Sequence, residues 1–306
     1  MKKPKFDVAG LKSFLEERLG GPLSEFEMIT DCSRAQNFRG RTAAGERLAV
    51  KCVPPEKTEI KYFEHFMKHL EELRGTNAIQ IAHGPWKYGD CTVVTLRWAG
   101  GKRVFPDRLT PEMQDELIKE YGRFSDAMQR TTMTLPERDN LAVRARVLER
   151  LRGFGCGGLR RFVERELTPE VMSYDKSKLR VIHGDFHHGN FHFEDGKITG
   201  FMDLEDFRWG YPADDWIRYV VCAAEHLHWY DFAGRRKLLA LYRRLLPLAP
   251  ADEWLEAIAG LLIRKFDRRF AARRREPKIW LALNMRFRIG LYREMMSIAK
   301  SKGSKE

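Results

Sequence analysis

Residues 183–190 read HGDFHHGN, and this stretch decides the fold prediction. It follows an apolar run, Leu179–Ile182, that is typical of a strand. The next residues, 191–202, read FHFEDGKITGFM, which are two short strand patterns joined through Asp195-Gly196, a strong two-residue hairpin signal. The pattern therefore predicts a polar loop followed by a hairpin, and the hairpin ends next to Asp203.

Three side chains in this segment suit phosphoryl transfer from ATP. A hydroxyl that attacks the terminal phosphate needs a carboxylate to orient it and accept its proton, and oxygen ligands must hold Mg²⁺ on the phosphates. Asp185 suits the first role, and Asn190 and Asp203 suit the second as a neutral and a charged ligand. Eight carboxylates against two basic residues between positions 183 and 215 also favour a bound cation.

Four histidines in the same segment raise the alternative of a zinc site: His183, His187, His188 and His192. Zinc centres usually combine three or four histidine or cysteine ligands, and the segment contains neither HExxH nor a nearby cysteine. We therefore prefer a bracing role for His183, by hydrogen bonding within the loop. His187 and His188 are expected to face substrate or solvent.

Lys51 ends the apolar strand pattern Leu48–Val50, where its ammonium could reach the α- and β-phosphates of ATP. Such a lysine needs a carboxylate from a neighbouring helix to fix its direction. Glu64 is the preferred partner in the helical pattern that follows. Glu59 is the rival, and the sequence leaves this choice open.

The order of elements predicts an α+β chain. Strand patterns run from Phe26 to Val53, and two more follow at Ala78–Ile81 and Thr92–Leu96, with one helical pattern before them. Beyond Gly100-Gly101 most of the chain has helical periodicity. We expect a small lobe with an antiparallel sheet, residues 1–97, and a larger, mostly helical lobe, residues 98–306.

Composition favours a soluble cytoplasmic protein. Of the 306 residues 43% are hydrophobic and 11% aromatic, enough for a substantial core. The five cysteines lie far apart without a C-x-x-C pair, which argues against a disulfide framework and fits a reducing compartment. No secretory signal is apparent, and no apolar stretch approaches the roughly 20 residues that span a bilayer.

The excess positive charge is confined to the C-terminal part of the chain. The net charge is +12, and residues 235–306 alone hold 19 basic and 7 acidic residues. Seven basic residues lie between Arg264 and Arg275, with Phe266 and Phe270 at helical spacing. This segment is either a solvated helix face or a surface for an anionic partner, and the pattern does not decide between them.

The motifs together resemble the aminoglycoside phosphotransferase and choline kinase superfamily of small-molecule kinases. HGDFHHGN resembles its catalytic loop, ITGFMDLEDFRWGYPADDW its metal-binding segment, and LAVKC its lysine strand. The resemblance implies a protein-kinase-like bilobal fold with ATP and Mg²⁺ as cofactors. It assigns five residues: Asp185 as the catalytic base, Asn190 and Asp203 as Mg²⁺ ligands, and Lys51 with Glu64 as the phosphate-binding pair.

Further roles are implied by the same resemblance. Glu205 would assist the metal, and Asp215 would brace the catalytic loop. The adenine would bind the link from Leu96 to Ala99, with Leu96 and Trp98 beside it. Ser33 would cap the phosphates, although the segment CSRAQNF around it lacks the glycines expected of such a loop.

The acceptor is expected to be a small molecule with a hydroxyl group. The basic C-terminal helices would repel a polycationic aminoglycoside, so a sugar or another neutral or anionic metabolite or glycan is preferred. The alternatives are an aminoglycoside phosphotransferase and a non-catalytic pseudokinase that binds nucleotide or nucleic acid. Nucleic acid is not an expected partner, whereas peripheral contact of the basic helices with a membrane or glycan stays open.

Overall fold

A computed structural model describes residues 7–29, 36–53, 73, 75–130, 139–153, 157–173, 175–227, 231–272 and 278–303. The side chains of residues 205, 269, 272 and 278–288 are not among those described. The chain forms two compact units. The first comprises Met1–Lys102, Glu116–Met133 and His192–Glu205, and the second comprises Arg103–Asp115, Thr134–Phe191 and Asp206–Glu306. The predicted division after residue 97 stays a prediction.

The first unit is built on a five-stranded antiparallel sheet with the order β1-β2-β3-β5-β4. Its strands are β1 Ser24–Ile29, β2 Gln36–Arg41, β3 Arg47–Val53, β4 Ile81–Tyr88 and β5 Cys91–Arg97. The strand predicted at Ala78–Ile81 was wrong in its bounds. The observed strand begins where the prediction ends, because Gly84 and Pro85 interrupt the apolar pattern that would reveal it.

Helix α1, Val8–Leu19, covers one face of this sheet. Asp7 caps its start by accepting a hydrogen bond from the Gly10 amide at 3.0 Å, and Gly20 ends it in the left-handed conformation at φ 72°. Leu11 and Leu15 are fully buried, and they pack into the core formed by Phe38, Val50 and Val93. Each such buried side chain contributes roughly 1.5–3 kcal/mol of apolar transfer free energy.

A hairpin completes the first unit. Its strands are β7 Phe191–Glu194 and β8 Lys197–Phe201, and its turn holds Asp195 at φ 49° and Gly196 at φ 78°. Both turn residues thus have the positive φ that a type I′ turn requires. This confirms the predicted hairpin at residues 191–202.

The second unit is mostly helical. Its helices are α3 Asn140–Gly153, α4 Gly157–Glu166, α5 Pro212–Ala224, α6 Phe232–Leu245, α7 Ala251–Ala272 and α8 Lys278–Gly303, and α2 Pro111–Met128 begins in it. Helix α7 packs against α3, α5 and α8 and carries the fully buried Trp254. The α+β class with an antiparallel N-terminal sheet and a helical C-terminal part is therefore confirmed.

Two short strands of the second unit, β6 Arg180–Ile182 and β9 Arg208–Gly210, pair in antiparallel fashion. Strand β9 has only three residues and was not predicted from the sequence. The 183–190 loop begins directly after β6, and helix α5 follows shortly after β9. The pairing of the two strands therefore holds the start of the loop close to the start of the helix. None of the described helices contains an apolar run long enough to cross a lipid bilayer.

Candidate active site

The 183–190 loop is anchored by buried aromatic rings within the second unit. Phe186 lies in the middle of the loop and stacks on Phe191 at 5.2 Å between ring centroids. Its ring also meets Trp216 edge-on at 5.3 Å and Tyr219 at 5.8 Å, both on helix α5. Because Phe186 is fully buried, the residues on either side of it have little freedom to move.

Asp215 fixes the backbone at the start of the loop. This fully buried carboxylate accepts one hydrogen bond from the His183 amide at 2.8 Å and another from the Gly184 amide at 2.9 Å. The residue reaches the loop because helix α5 begins at Pro212, which puts Asp215 in the first helical turn, where the helix dipole favours negative charge. The bracing contact expected of Asp215 is thus present in the structure.

Gly184 is the residue that allows the loop its close turn. It has φ 81°, and a Cβ built on it would lie 1.9 Å from the carbonyl oxygen of Asp206. Its own carbonyl accepts a hydrogen bond from the buried guanidinium of Arg208 on β9. Only glycine fits this backbone without a clash.

The Asp185 carboxylate follows this turn, and Asn190 faces it across the loop. The Asn190 amide nitrogen donates to the Asp185 carbonyl oxygen at 2.9 Å and lies 3.4 Å from carboxylate atom Oδ2. With its nitrogen used in this way, the amide leaves its oxygen for a cation. The loop therefore holds a carboxylate for a proton and a neutral oxygen for a metal next to each other.

His183 makes a hydrogen bond within the loop of the kind that its expected bracing role requires. It is fully buried, and its Nδ1 accepts a hydrogen bond from the Asp185 amide at 3.3 Å. His187 accepts from the Gly189 amide at 3.0 Å through Nδ1, and its Nε2 lies 3.6 Å from Asp185 Oδ2.

His188 does not face solvent, which was one of the two alternatives expected for it, and the other, that it faces substrate, stays a prediction. It is buried next to Phe105, with 4.5 Å between ring centroids, and the ring of His226 is 5.1 Å away. Burial, followed by the charges of His187 and His226, lowers the pKa of His188 to about 4. This side chain is therefore neutral at physiological pH.

Arg218 is the site residue that the sequence reasoning missed. It lies on helix α5, and its guanidinium Nη2 contacts Oδ1 of Asp185. Its position three residues after Asp215 is a usable signal, since residues three apart lie on the same helix face. Helix α5 thus contacts the loop in two successive turns, through Asp215 at the loop amides and through Arg218 at Asp185.

Lys51 and Asp203 come together in the first unit. Lys51 is buried on β3, and its Nζ lies 3.3 Å from Oδ1 of Asp203. Asp203 follows β8 with φ 54°, an uncommon conformation for a residue other than glycine, and its side chain is 51% exposed. The pair thus provides an ammonium next to a carboxylate that solvent or a ligand can reach.

The remaining predicted site residues differ in how far the structure describes them. Leu96, at the end of β5, and Trp98, just after it, are both half-buried. The backbone of Glu205 lies in a 3-10 turn, Leu204–Asp206, and its side chain is not described. Ser33, Glu59 and Glu64 lie outside the described residues, so the choice between Glu59 and Glu64 as partner of Lys51 stays a prediction.

Comparison with known proteins identifies the class. The antiparallel N-terminal sheet and the helical C-terminal part match a protein-kinase-like fold. The sequence profile of the phosphotransferase enzyme family matches residues 29–248. The chain belongs to this family and is a phosphotransferase that acts on a hydroxyl group. Kinases of the family use ATP and a divalent metal ion.

Solved structures with the same fold are distant in sequence. The amicoumacin kinase hAmiN, in complex with AMP-PNP, Ca²⁺ and Ami, is 16% identical, with a TM-score of 0.59 and 94% of each chain covered. The ADP-bound aminoglycoside phosphotransferase APH(2'')-Ib is 15% identical, with a TM-score of 0.61 over 95% of this chain and 99% of its own. An aminoglycoside phosphotransferase from Alicyclobacillus acidocaldarius is 14% identical, with a TM-score of 0.63 over 92% and 93% of the chains. No curated protein sequence matches this chain.

Proposed function

We propose that this enzyme uses Mg²⁺ and ATP to phosphorylate a hydroxyl group on a neutral or anionic small molecule, such as a sugar, another metabolite or a glycan. The observation that carries the proposal is the arrangement around Asp185. Its carboxylate stands on a loop whose backbone is fixed by Asp215 and Arg208, with the amide of Asn190 beside it. A fixed carboxylate next to an amide oxygen suits proton transfer next to a metal-bound phosphate.

Asp185 is the proposed catalytic base. It orients the acceptor hydroxyl and takes its proton as the acceptor oxygen bonds to the terminal phosphorus. The bond from that phosphorus to the bridging oxygen breaks, and ADP leaves with the electron pair. Lys51 would hold the phosphate oxygens by charge-assisted hydrogen bonds, with Glu64 as its helical partner. Ser33 would cap the phosphates, and Leu96 and Trp98 would border the adenine.

The residues assigned to the metal have the chemistry that Mg²⁺ requires. Asn190 and Asp203 offer amide and carboxylate oxygens, and Glu205 is a second carboxylate close in sequence. Mg²⁺ is usually held by one or two carboxylates together with substrate phosphates and water, so a protein cage of three or more ligands is not needed. When bound, the ion would neutralise the negative charge that develops in the transition state.

The acceptor class is proposed from charge. The solved relatives carry names of aminoglycoside phosphotransferases and of an amicoumacin kinase, but at 14–16% identity they support the fold alone. In this chain the guanidinium of Arg218 lies directly against Asp185. A polycationic acceptor would be repelled there, whereas a neutral or anionic one would not. With ATP as the donor, and with free thiols at Cys52, Cys91 and Cys222, we place the reaction in the cytoplasm.

The test is an assay of ADP release over matched acceptors in the presence of Mg²⁺. Glucose, glucosamine and glucuronate form one series with neutral, cationic and anionic members, and kanamycin represents the aminoglycosides. We expect turnover with neutral or anionic members and little with the cationic ones. Efficient phosphorylation of kanamycin with none of glucose or glucuronate would replace the proposed acceptor class with aminoglycosides.

A separate measurement tests the proposed roles of Mg²⁺ and nucleotide in this chain. Calorimetry should detect binding of Mg²⁺ with a non-hydrolysable ATP analogue, and chelation of the metal should abolish turnover. A folded protein that takes up no nucleotide would contradict the catalytic proposal. An oligonucleotide affinity that falls steeply between low and physiological salt would favour the nucleic-acid alternative instead.

A further inference from the structure

Arg218 lies directly against the carboxylate of the proposed catalytic base, Asp185. Its side chain is 14% exposed, and its Nη2 contacts Oδ1 of Asp185, whose other oxygen, Oδ2, lies near Asn190 and His187. A carboxylate paired with a guanidinium holds its lone pairs in a strong charge-assisted contact. In this state Asp185 is a poor acceptor for the proton of a hydroxyl.

One buried donor of Arg218 is not satisfied in the part of the chain that the structure describes. Its Nε is buried and has no hydrogen-bond partner there. Leaving such a donor unpaired costs roughly 1–3 kcal/mol. An oxygen of an anionic group would satisfy this donor, because the guanidinium fork matches a carboxylate or phosphate with two parallel hydrogen bonds.

Two further cations, Arg264 and Arg268, lie near enough to Arg218 to affect its charge. Burial lowers the pKa of its guanidinium, and the nearby charges of Arg268 and Arg264 lower it further, whereas Cys222 and Glu225 raise it. Arg264 is paired with Asp214 at 3.4 Å, and Glu225 is also paired with Lys265 at 2.5 Å, so both acids share their charge with other cations. Arg268, on α7, is exposed. These cations together favour an anion at this place in the second unit.

We propose that Arg218 is the specificity residue for an anionic acceptor: it occupies the base Asp185 until a phosphate or carboxylate group of the acceptor draws the guanidinium away. The proposal rests on the role of Asp185 as the base. It narrows the proposed acceptor class to molecules that carry an anionic group close to the hydroxyl that is phosphorylated. It also gives a reason why water would be a poor acceptor, since without an anion the base stays paired with Arg218.

The first experiment needs no identified acceptor. ATP hydrolysis by water is compared in the wild type and in Arg218→Met, with Mg²⁺ present. Removing the guanidinium frees Asp185 to accept a proton from water. We therefore expect the hydrolysis rate to rise about 3- to 10-fold, which is less than the full rate gain that a well-positioned base provides. Arg236→Met is the matched control, since Arg236 is exposed on helix α6 and the charge change is the same. An unchanged or lower rate in a folded Arg218→Met would overturn the proposal.

The second experiment uses sulfate as a probe for the anionic group. At constant ionic strength, replacing chloride by sulfate should raise hydrolysis by the wild type toward the rate of Arg218→Met, and should not change the variant. Arg218→Lys keeps the charge without the planar fork and should respond to sulfate only weakly. No response of the wild type, or an equal response of Arg218→Met, would contradict an anion site at Arg218.

A purely structural role gives a different pattern. If Arg218 only supported the fold, its loss would lower the melting temperature and the hydrolysis rate together. A failure of the proposed function can be told apart from a failure of the Arg218 proposal, because in the first case the wild type itself would bind no nucleotide. Once an anionic acceptor is known, Arg218→Met should raise its KM by about 10- to 100-fold, as expected for a lost charged hydrogen bond.

Discussion

The two oxygens of Asp185 lie in different environments. Oδ1 contacts Arg218, whereas Oδ2 lies near the Asn190 amide and the His187 ring. The loop turns at Gly184 to place this carboxylate, and the brace from Asp215 holds that turn. At the scale of single residues, the proposed chemistry therefore depends on one side chain and on the backbone just before it.

Replacing Asp185 by Ala should lower the turnover number by roughly 10² to 10⁴, because the acceptor proton loses its base. Affinity for the Mg²⁺-bound ATP analogue should stay within about threefold of the wild type, since the base contacts the acceptor rather than the nucleotide in the proposed mechanism. Steady-state kinetics and calorimetry measure the two quantities. Asp126→Ala, on an exposed face of α2, is the control. Equal loss of affinity and turnover would make Asp185 structural.

Replacing Gly184 by Ala should destabilise the protein by about 2–4 kcal/mol, since the new Cβ meets a carbonyl oxygen and the backbone has positive φ. Gly122→Ala is the contrasting variant. Gly122 lies inside α2 with open space around its Cα, and alanine there should stabilise the helix by about 0.5–1 kcal/mol. Urea unfolding measures both changes. A neutral effect of Gly184→Ala would show that the loop can relax around the added methyl group.

At the scale of elements, helix α5 organises the loop. Its first turn contributes Asp215 to the loop amides, and Asp214 accepts from the Tyr211 amide at 3.1 Å. One turn later it contributes Arg218 to Asp185. Tyr211, which precedes this helix, also contacts Glu256 on α7, so a buried acid lies just behind the helix start.

Glu256 should make stability depend on pH. Burial raises its pKa from 4.5 to about 8, and the charges of Asp214, Asp252 and Glu253 act in the same direction, whereas the hydrogen bond with Tyr211 lowers it. A carboxyl whose pKa is higher in the folded state holds its proton more tightly there. Its contribution to stability is therefore complete below about pH 4.5 and is lost as pH rises through about 8.

The neutral variant Glu256→Gln tests this. It should be more stable than the wild type at pH 9, by on the order of 1–3 kcal/mol, and close to it at pH 5. Urea unfolding at the two pH values measures the difference. Glu149→Gln, on an exposed face of α3, should show no such dependence. Identical pH profiles for the wild type and Glu256→Gln would mean that Glu256 ionises normally in the folded protein.

Elements with a local signal were predictable from the sequence, and those without one were not. The hairpin at residues 191–202 is marked by its Asp195-Gly196 turn, and the helices α3 and α4 by their apolar period. Strand β9 is only three residues long, and β4 contains a glycine and a proline. These strands exist because neighbouring strands supply their hydrogen bonds, which no local pattern reveals.

The same distinction holds in the candidate site. Asp185, Asn190 and Asp203 form an ordered sequence motif, so they could be proposed as site residues from the sequence. Arg218 is an ordinary helical residue until the packing of Phe186 on helix α5 puts the loop against it. The burial of His188 likewise depends on Phe105, which lies more than 80 residues earlier in the chain.

At the scale of the whole molecule, less of the excess positive charge is exposed to a binding partner than the sequence suggests. Within the described part of the segment from Arg264 to Arg275, Arg264 is buried against Asn140 and Asp214. Lys265 is paired with Glu225, whereas Arg268 is exposed. The described residues thus give little support to a continuous basic face for nucleic acid, and more to a local anion site.

Nucleotide binding should be visible as stability of the whole chain. A ligand that binds only the folded state, at 100 times its dissociation constant, adds about 2.7 kcal/mol. Mg²⁺ with a non-hydrolysable ATP analogue should therefore raise the melting temperature, and EDTA should cancel most of the rise. Lys51→Met should weaken the effect, and Lys300→Met, on an exposed face of α8, should not. An equal rise with and without metal would contradict the assigned metal ligands.

The double hydrogen bond from one carboxylate to two successive loop amides has a practical consequence. Because Asp215 joins the start of helix α5 to His183 and Gly184, a displacement of that helix end by a fraction of an ångström moves the loop backbone with it. A core substitution that shifts the first turn of α5 should therefore lower turnover, although no atom of the loop itself has been changed.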